Sequence, residues 1–375
     1  MAKKRAREAG IIFPGTTGKY NAITDVSGVE VGYSTIIKGE PEDYKGMGSP
    51  FARTGVTAIL PRGKQRSAVF AGRYNLNGNG EMTGTHWLDD SGFMHGPLMI
   101  TNTNSVGIVR DTTSKWMIEN KYYYPLVVDG RPIDGCGYFY PVVAETWDGI
   151  LNDTNGFHVE PKHALEALRN AKSGPIAEGN VGGGTGMQCH DFKGGSGTAS
   201  RVLSKEDGGY TVGVFVQTNH GFRTHFQMFG IPMADKIVGA DPIINTFAPK
   251  PGTGSIIVVI ATDAPVLPWQ LSKLCRRAPL GIGALGAGYE SGSGDLFLAF
   301  STANENAYTT EVSEIQLLSD DRLDPLYKAV AEATEEAIIN ALFAAETMVG
   351  KEFNTLYALP QDQVLEILKQ YGKVK

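Results

Sequence analysis

Apolar and polar residues alternate over short distances along most of the chain, and turns rich in glycine, asparagine and aspartate separate the apolar runs. Short runs of apolar and β-branched residues between such turns are typical of buried β-strands. The pattern predicts strands at residues 55–60, 67–71, 96–100, 211–217, 255–261 and 296–300. We therefore expect a protein with a large β-sheet component.

Four longer segments have the features of helices, at residues 105–120, 161–172, 268–278 and 324–348. The second has Pro161 in its first turn and Gly174 just past its end, and both residues favour helix boundaries. The longest is expected to be capped by Asp324 and to stop before Gly350. Its apolar residues recur on one stripe, which predicts a helix packed against a core.

Strands and helices are mixed along the chain, and no repeat, long linker or change in composition marks a domain boundary. We therefore predict one α+β domain over residues 1–375, with a sheet-on-sheet core flanked by helices. The most linker-like segment, residues 239–254, leads directly into the predicted strand that begins at Ser255.

Net charge, cysteine content and the absence of long apolar runs limit the partners and cofactors that we expect for this protein. The net charge of −6 argues against nucleic acid as a partner, since no broad basic surface is implied. The three cysteines are few and widely spaced, which favours a reducing compartment, and without a CxxC or HExxH pattern no metal is expected. No signal-peptide core and no membrane-length apolar run is present, so we expect a cytoplasmic protein with no membrane partner.

The dipeptide Gly254-Ser255 stands where a loop enters a predicted strand. Cleavage before Ser255 would leave a residue that carries both a hydroxyl and a free α-amine, the pairing of nucleophile and base used by N-terminal nucleophiles. The freed amine has an unperturbed pKa of about 8 and accepts a hydroxyl proton near neutral pH. Because glycine has no Cβ, Gly254 leaves room for the Ser255 hydroxyl to approach the preceding carbonyl.

Other polar residues lie at the ends of predicted strands. Ser293 and Asp295 precede one strand, and the carboxylate could orient a hydroxyl two residues away. Asn219 follows another strand, where its amide could donate to an oxyanion. Glu145 ends an apolar run and could hold a substrate ammonium group, with Trp147 as the wall of an apolar pocket. Each pattern alone is also typical of an ordinary turn or strand end.

Three further interpretations involve histidine and glycine. His220 could belong to a Ser-His-Asp triad with Asp295 or Asp263, since triads are defined in space and not by sequence spacing. Residues 281–286 fit GxGxxG but follow a predicted helix, which argues against dinucleotide binding. Residues 193–198 lack the GK[ST] order of a phosphate-binding loop.

Together these motifs resemble the L-aminopeptidase/D-Ala-esterase/amidase (DmpA) family, which includes the β-peptidyl aminopeptidases. The similarity covers nearly the whole chain. It is carried by residues 20–26, 77–87, 179–187, 192–201, 254–259 and 293–295.

The resemblance implies a four-layer αββα sandwich, similar in layering to N-terminal nucleophile hydrolases but with different connectivity. It also implies self-cleavage between Gly254 and Ser255 into fragments 1–254 and 255–375, which stay together and assemble into a homo-oligomer of αβ pairs. By the same resemblance Ser255 matches the nucleophile, and Ser293 with Asp295 matches the pair that supports it. Some relatives have Glu at the position of Asp295, so the reach of this acid is shorter here.

In the same way Asn219 matches the oxyanion donor and Glu145 the acid that binds the substrate amine, while Trp147 replaces a Tyr of some relatives and cannot copy its hydroxyl. The resemblance implies a cofactor-free hydrolase acting on short peptides, amides or esters of L-α-, D-Ala or β-amino acids. An acyltransferase of the ornithine acetyltransferase type, whose nucleophile is Thr, and a non-catalytic assembly protein are the alternatives.

Overall fold

The computed structural model describes residues 3–66, 68–122, 126–133, 139–246, 254–309 and 311–375. In these residues the strands are β1 (Glu30–Lys38), β2 (Ala52–Lys64), β3 (Ala68–Gly78), β4 (Phe93–His95), β5 (Leu98–Asn102), β6 (Leu126–Val128), β7 (Arg131–Ile133), β8 (Val142–Thr146), β9 (Gln188–Cys189), β10 (Phe192–Lys193), β11 (Ser196–Val202), β12 (Thr211–Asn219), β13 (Gln227–Met228), β14 (Ile231–Pro232), β15 (Ser255–Thr262), β16 (Gly294–Ser301), β17 (Met348–Val349) and β18 (Thr355–Leu356). The α-helices are α1 (Thr85–Ser91), α2 (Val106–Glu119), α3 (Pro161–Asn170), α4 (Pro268–Cys275), α5 (Ala278–Ala284), α6 (Asp324–Ala344) and α7 (Gln361–Gln370).

Two sheets form the centre of the protein. The larger has six strands in the order β11-β12-β15-β16-β3-β4, and the smaller has four in the order β1-β2-β5-β8. In the larger sheet β15 runs antiparallel to β12 and parallel to β16. As a result the end of β12 lies beside the starts of β15 and β16, at the same end of the strands.

The layers follow from the alternation of side chains along the strands. In β15, Ile256, Val258 and Ile260 belong to the core beneath α4, α5 and α6, whereas Ile257 and Val259 belong to the core between the two sheets. Helices α2 and α3 cover the outer face of the smaller sheet through a third core. A strand that is buried on both faces is expected to have a continuous apolar sequence. Residues 256–261 of β15 are all apolar, in agreement with this. The predicted αββα sandwich is confirmed.

The predicted elements are all present, with three changes at helix ends. Asp324 does not cap α6: it is the first residue of the helix, and Leu323 holds the cap position. The segment 268–278 belongs to two helices, because α4 ends at Cys275 and α5 begins at Ala278. Pro279 lies in the first turn of α5, and a proline cannot continue the preceding helix. Helix α6 ends at Ala344 and not near Met348. There the side-chain amide of Asn180 holds the backbone of Glu346 through both its oxygen and its nitrogen, at 3.2 and 2.9 Å. Part of the predicted linker 239–254, residues 247–253, lies outside the described residues.

The glycine pattern at residues 281–286 has a packing role in the structure. It lies largely within α5, not at a strand-to-helix turn. A Cβ on Gly281 would come within 2.6 Å of the carbonyl oxygen of Ala331 in α6, whereas a Cβ on Gly283 would meet nothing within 4 Å. Residues 193–198 lead from β10 into β11 and do not precede a helix.

These two glycines give a matched test of the α5–α6 contact. We expect Gly281→Ala to lower the free energy of unfolding by about 1–3 kcal/mol, since backbone must move to admit the methyl group. Gly283→Ala is expected to be neutral or to stabilise by up to about 1 kcal/mol, because alanine favours the helix. Urea unfolding midpoints of the two variants check this, and equal midpoints would contradict close packing at Gly281.

Candidate active site

The site lies at one end of the strands of the larger sheet, where the end of β12 lies beside the starts of β15 and β16. Ser255, the first residue of β15, pairs with Asn219 at the end of β12 on one side and with Gly294 at the start of β16 on the other. Gly294 pairs in turn with Gly78 at the end of β3. The register of four adjacent strands therefore places residues from distant parts of the sequence side by side.

Ser255 is buried, with 5% of its surface exposed, and its hydroxyl donates to the carbonyl oxygen of Gly254 at 2.6 Å. The same oxygen accepts a backbone hydrogen bond from Gly294 at 2.9 Å. A Cβ on residue 254 would lie 2.9 Å from the carbonyl oxygen of Asn219 and 3.1 Å from Cα of His220. Lack of space thus explains why glycine precedes the serine.

Ser293 and Asp295 form a hydrogen-bonded pair behind this serine. The Ser293 hydroxyl donates to Asp295 Oδ1 at 2.6 Å, and Asn77 Nδ2 donates to Oδ2 at 2.8 Å. Burial raises the pKa of Asp295, while the hydrogen bonds from Ser293 and Asn77 act in the opposite direction. Both oxygens of the carboxyl group are therefore fixed, and the Ser293 hydroxyl is held with its oxygen free to accept.

Asn219 has both ends of its amide held in place. Its Oδ1 accepts the backbone N–H of Gln188 at 3.2 Å, and its Nδ2 donates to the carbonyl of Trp147 at 2.9 Å. A primary amide nitrogen has two N–H groups, so one remains for a further acceptor. The residue is almost fully buried, and it lines the same cavity as Ser255.

Glu145 lies in β8 of the smaller sheet and also reaches the cavity. Its Oε1 accepts the backbone N–H of Glu81 at 2.9 Å, and its Oε2 accepts the hydroxyl of Thr103. Burial raises the pKa of Glu145, and these two hydrogen bonds lower it. A carboxylate that is buried and donates nothing is suited to bind a cation.

The cavity has a volume of about 550 Å³, and it brings together most of the residues singled out in the sequence. It is lined by Gly78, Asn79, Gly80, Glu81, Thr103, Glu145, Trp147, Asn219, Gly254, Ser255 and Gly292. Trp147 is 36% exposed, so it forms part of the mouth. Ser293 borders a separate cavity of about 20 Å³ together with Gly254 and His220.

The structure does not assemble a triad around His220. Neither ring nitrogen of His220 has a hydrogen-bond partner within the described part of the chain. Asp295 is occupied by Ser293 and Asn77. The side chain of Asp263 accepts the backbone N–H of Thr211 at the opposite end of β12. The triad interpretation is therefore not supported by the geometry.

Sequence reasoning did not assign individual roles to Asn77, Glu81 and Thr103. Asn77 and Glu81 lie in the run 77–87 that carries the family resemblance, so a signal for them was present. Thr103 had no such signal. It reaches Glu145 because β5 and β8 are parallel neighbours, with Thr101 and Asn102 opposite Glu145 and Thr146.

Solved structures share the fold of this chain over nearly its whole length. The L-aminopeptidase D-Ala-esterase/amidase of Ochrobactrum anthropi, described as a prototype for the serine aminopeptidases and as a variant of the Ntn-hydrolase fold, is 43% identical with a TM-score of 0.88, covering 100% of both chains. A β-aminopeptidase of a Burkholderia species is 41% identical with a TM-score of 0.84, covering 98% of this chain and 99% of that chain. Fold and site define an aminopeptidase built on this variant of the N-terminal nucleophile hydrolase fold.

Sequence comparison narrows the class further. Residues 21–356 match Peptidase family S58, and the chain belongs to this family. The β-peptidyl aminopeptidase BapA of Sphingosinicella microcystinivorans is 48% identical, covering 99% of this chain and 93% of the relative. That of Sphingosinicella xenopeptidilytica is 43% identical, covering 98% and 92%. The predicted family and the predicted aminopeptidase activity are confirmed.

The helices of the structure bear on one further expectation. Among the described residues, none of the helices is both long enough and apolar enough to cross a membrane.

Proposed function

We propose that the protein is a self-processing serine aminopeptidase that cuts its own chain between Gly254 and Ser255 and then removes N-terminal residues from short peptides, amides or esters. The observation that carries the proposal is the position of the Ser255 hydroxyl, 2.6 Å from the carbonyl oxygen of Gly254 and at the wall of the cavity that contains Glu145.

In the self-cleavage step, Ser255 Oγ attacks the carbonyl carbon of Gly254, and the C–N bond breaks as the amide nitrogen takes the hydroxyl proton. The backbone N–H of Gly294 already donates to the oxygen that becomes negative, so it stabilises the intermediate. Water then hydrolyses the ester and leaves Ser255 with a free α-amine. The Ser293–Asp295 pair supports the proton transfers.

Cleavage at this bond would leave the larger sheet intact. Strand β15 of fragment 255–375 hydrogen-bonds to β12 of fragment 1–254, and β16 hydrogen-bonds to β3. The first fragment thus supplies strands on both sides of the second. This interleaving supports fragments that stay together after the cut, and we propose that several such pairs assemble into one oligomer in the cytoplasm.

In peptide hydrolysis, Glu145 binds the substrate ammonium group, and Ser255 Oγ attacks the first carbonyl with its own amine as base. The free N–H of Asn219 stabilises the oxyanion, and water releases the acyl group from Ser255. Trp147 contacts the substrate side chain at the mouth. Because a buried carboxylate fixes the position of the amine, only the first bond reaches the nucleophile.

The relatives support a substrate class. Two of them are named β-peptidyl aminopeptidases, and a structural relative is named a β-aminopeptidase. A β-amino acid places one more carbon between amine and carbonyl than an α-amino acid. We therefore propose short peptides with an N-terminal β-amino acid as the first substrates, ahead of L-α-amino acid amides and D-Ala derivatives.

The role of Glu145 is tested by Glu145→Gln. We expect kcat/KM for a free-amine p-nitroanilide to fall by at least about 30-fold, equivalent to about 2 kcal/mol, because a buried charge pair is lost. Glu81→Gln removes an exposed charge at the same cavity and is expected to have a much smaller effect. If the two variants lost activity equally, the assignment of Glu145 would be wrong.

The Thr103 hydroxyl gives a prediction for pH dependence. Binding needs the carboxylate of Glu145, so kcat/KM falls as the pH drops through the raised pKa of this group. Thr103→Val removes a hydrogen bond that lowers that pKa, so the acid limb of the profile is expected to move to higher pH. Thr103→Ser keeps the donor and serves as the control. If the acid limb of Thr103→Val did not shift, Glu145 would not be the group whose titration causes it.

A further inference from the structure

Three side chains of types that bind metals lie next to the active site, where His220 borders the small cavity together with Gly254 and Ser293. Cys189 in β9 and His220 after β12 form a parallel bridge, and the backbone N–H of His190 donates to the carbonyl of His220 at 2.9 Å. One ligand atom of each of the three residues lies within 4.8 Å of the others. All three side chains are at least nine-tenths buried.

The two histidines have ring nitrogens that no other group in the described part of the chain uses. His190 Nδ1 lies 3.2 Å from the carbonyl oxygen of Phe222, so Nδ1 carries the proton and Nε2 has a free lone pair. Metal-binding histidines commonly fix their tautomer in this way. Within the described residues, His190 Nε2 and both ring nitrogens of His220 have no partner. Burial of a polar atom without a partner is unfavourable, and a bound cation would offset this cost.

The backbone holds His190 in an unfavourable conformation. Its φ is 49°, in the left-handed region that is uncommon for residues other than glycine. The ring packs against Phe226 at a centroid distance of 4.7 Å and over Gly221, where a Cβ would lie 2.6 Å from the ring. Strained positions of this kind tend to occur at functional sites.

We propose that Cys189, His190 and His220 bind one Zn²⁺ ion and that zinc at this site inhibits the peptidase. One thiolate and two imidazoles with a fourth position for water is a donor set that zinc accepts. Binding converts the Cys189 thiol to the thiolate and releases its proton to solvent. The three ligand atoms lie within 4.8 Å of one another. Tetrahedral zinc places its ligand atoms about 3.3–3.7 Å apart, so binding draws the groups together by up to about 1.5 Å.

Inhibition follows from the neighbours of the ligands and rests on the role proposed for Asn219. Gln188, adjacent to Cys189, holds Asn219 Oδ1 through its backbone N–H, and His220 directly follows Asn219. Gly254 packs against His220 from the other side. Contraction of the cluster therefore displaces the oxyanion donor relative to Ser255, and a shift of about 1 Å is enough to lower the rate about 100-fold.

The test uses Co²⁺ as a spectroscopic substitute for zinc in the metal-free full-length protein. We expect one equivalent of Co²⁺ to give a thiolate-to-cobalt charge-transfer band that one equivalent of Zn²⁺ removes. Cys189→Ser should abolish the band, and Cys275→Ser should retain it, because Cys275 is an equally buried thiol in another part of the core. Thermal melts show whether each variant is folded. In parallel, zinc should lower kcat of wild type about 100-fold and leave a folded Cys189→Ser variant unaffected.

The outcomes separate this proposal from the proposed function. No charge-transfer band in wild type, or a band that persists in Cys189→Ser, would overturn the site, as would zinc saturation without loss of activity. Inhibition that persists in Cys189→Ser would place the inhibitory ion elsewhere. A metal-free protein that shows no peptidase activity would instead count against the proposed function, while the cobalt spectrum would still report on the site.

Discussion

Ser255→Ala is expected to yield one uncut chain of 375 residues with peptidase activity lower by a factor on the order of 10⁴ to 10⁶, whereas the wild type yields fragments 1–254 and 255–375. The variant lacks the hydroxyl that lies 2.6 Å from the carbonyl oxygen of Gly254, so the acyl shift cannot begin. It also lacks the nucleophile for substrate. Intact mass under denaturing conditions and turnover of a free-amine p-nitroanilide measure the two effects.

Ser291→Ala is the matched control for this experiment. Ser291 lies in the same turn as Ser293 but is exposed, so the variant is expected to be cut and active. A Ser255→Ala protein that still splits at the same bond would show that self-cleavage does not use this hydroxyl. An uncut wild type with full activity would show that the free α-amine of Ser255 is not needed as the base.

Asn219→Ala is expected to lower kcat about 100- to 1000-fold with a much smaller change in KM. The removed N–H acts on charge that develops only in the transition state, and loss of one oxyanion donor typically has this size. The Asn219 amide is held by Gln188 and Trp147, so it needs no reorganisation when the oxyanion forms. Steady-state kinetics on fully cleaved enzyme measure the effect apart from any delay in self-cleavage.

A second variant separates donation from packing at the same position. Asn219→Asp keeps the shape and the acceptor for the N–H of Gln188 but replaces the donor with an oxygen. It is expected to lose at least as much kcat as the alanine variant. If Asn219→Ala retained wild-type kcat, the oxyanion role would be wrong. If only the alanine variant were impaired, the residue would act through packing.

Strands and helices were predictable because their signals are local. The run at residues 256–260 is apolar on both faces, and a strand buried between two layers requires this composition wherever it lies in the chain. The helix over residues 161–172 was predictable from its proline and glycine boundaries. The C-terminal end of α6 was less predictable, because the side chain of Asn180 holds the backbone where it leaves the helix.

The catalytic candidates were identified because the resemblance fixed them position by position. The residues that hold these candidates in place could not be identified from the sequence. Asn77 reaches Asp295 because β3 pairs with β16, although the two residues are 218 positions apart. The triad through His220 was left open for the same reason. The pairing of β12 with β15 places Asp263 beside Thr211, at the opposite end of β12 from His220, and this pairing is not visible in the sequence.

The strand that begins at Ser255 and the polar residues at the strand ends could be predicted from the sequence, because apolar periodicity and turn residues are local signals, and the linear motifs implied the family and its layered fold. Long-range packing established which of those residues share a cavity and how Glu145 and Asn219 are held. It also decided that Cys189, His190 and His220 meet, although no linear metal motif is present. These contacts depend on strand order and register, which are properties of the whole sheet and not of any one segment.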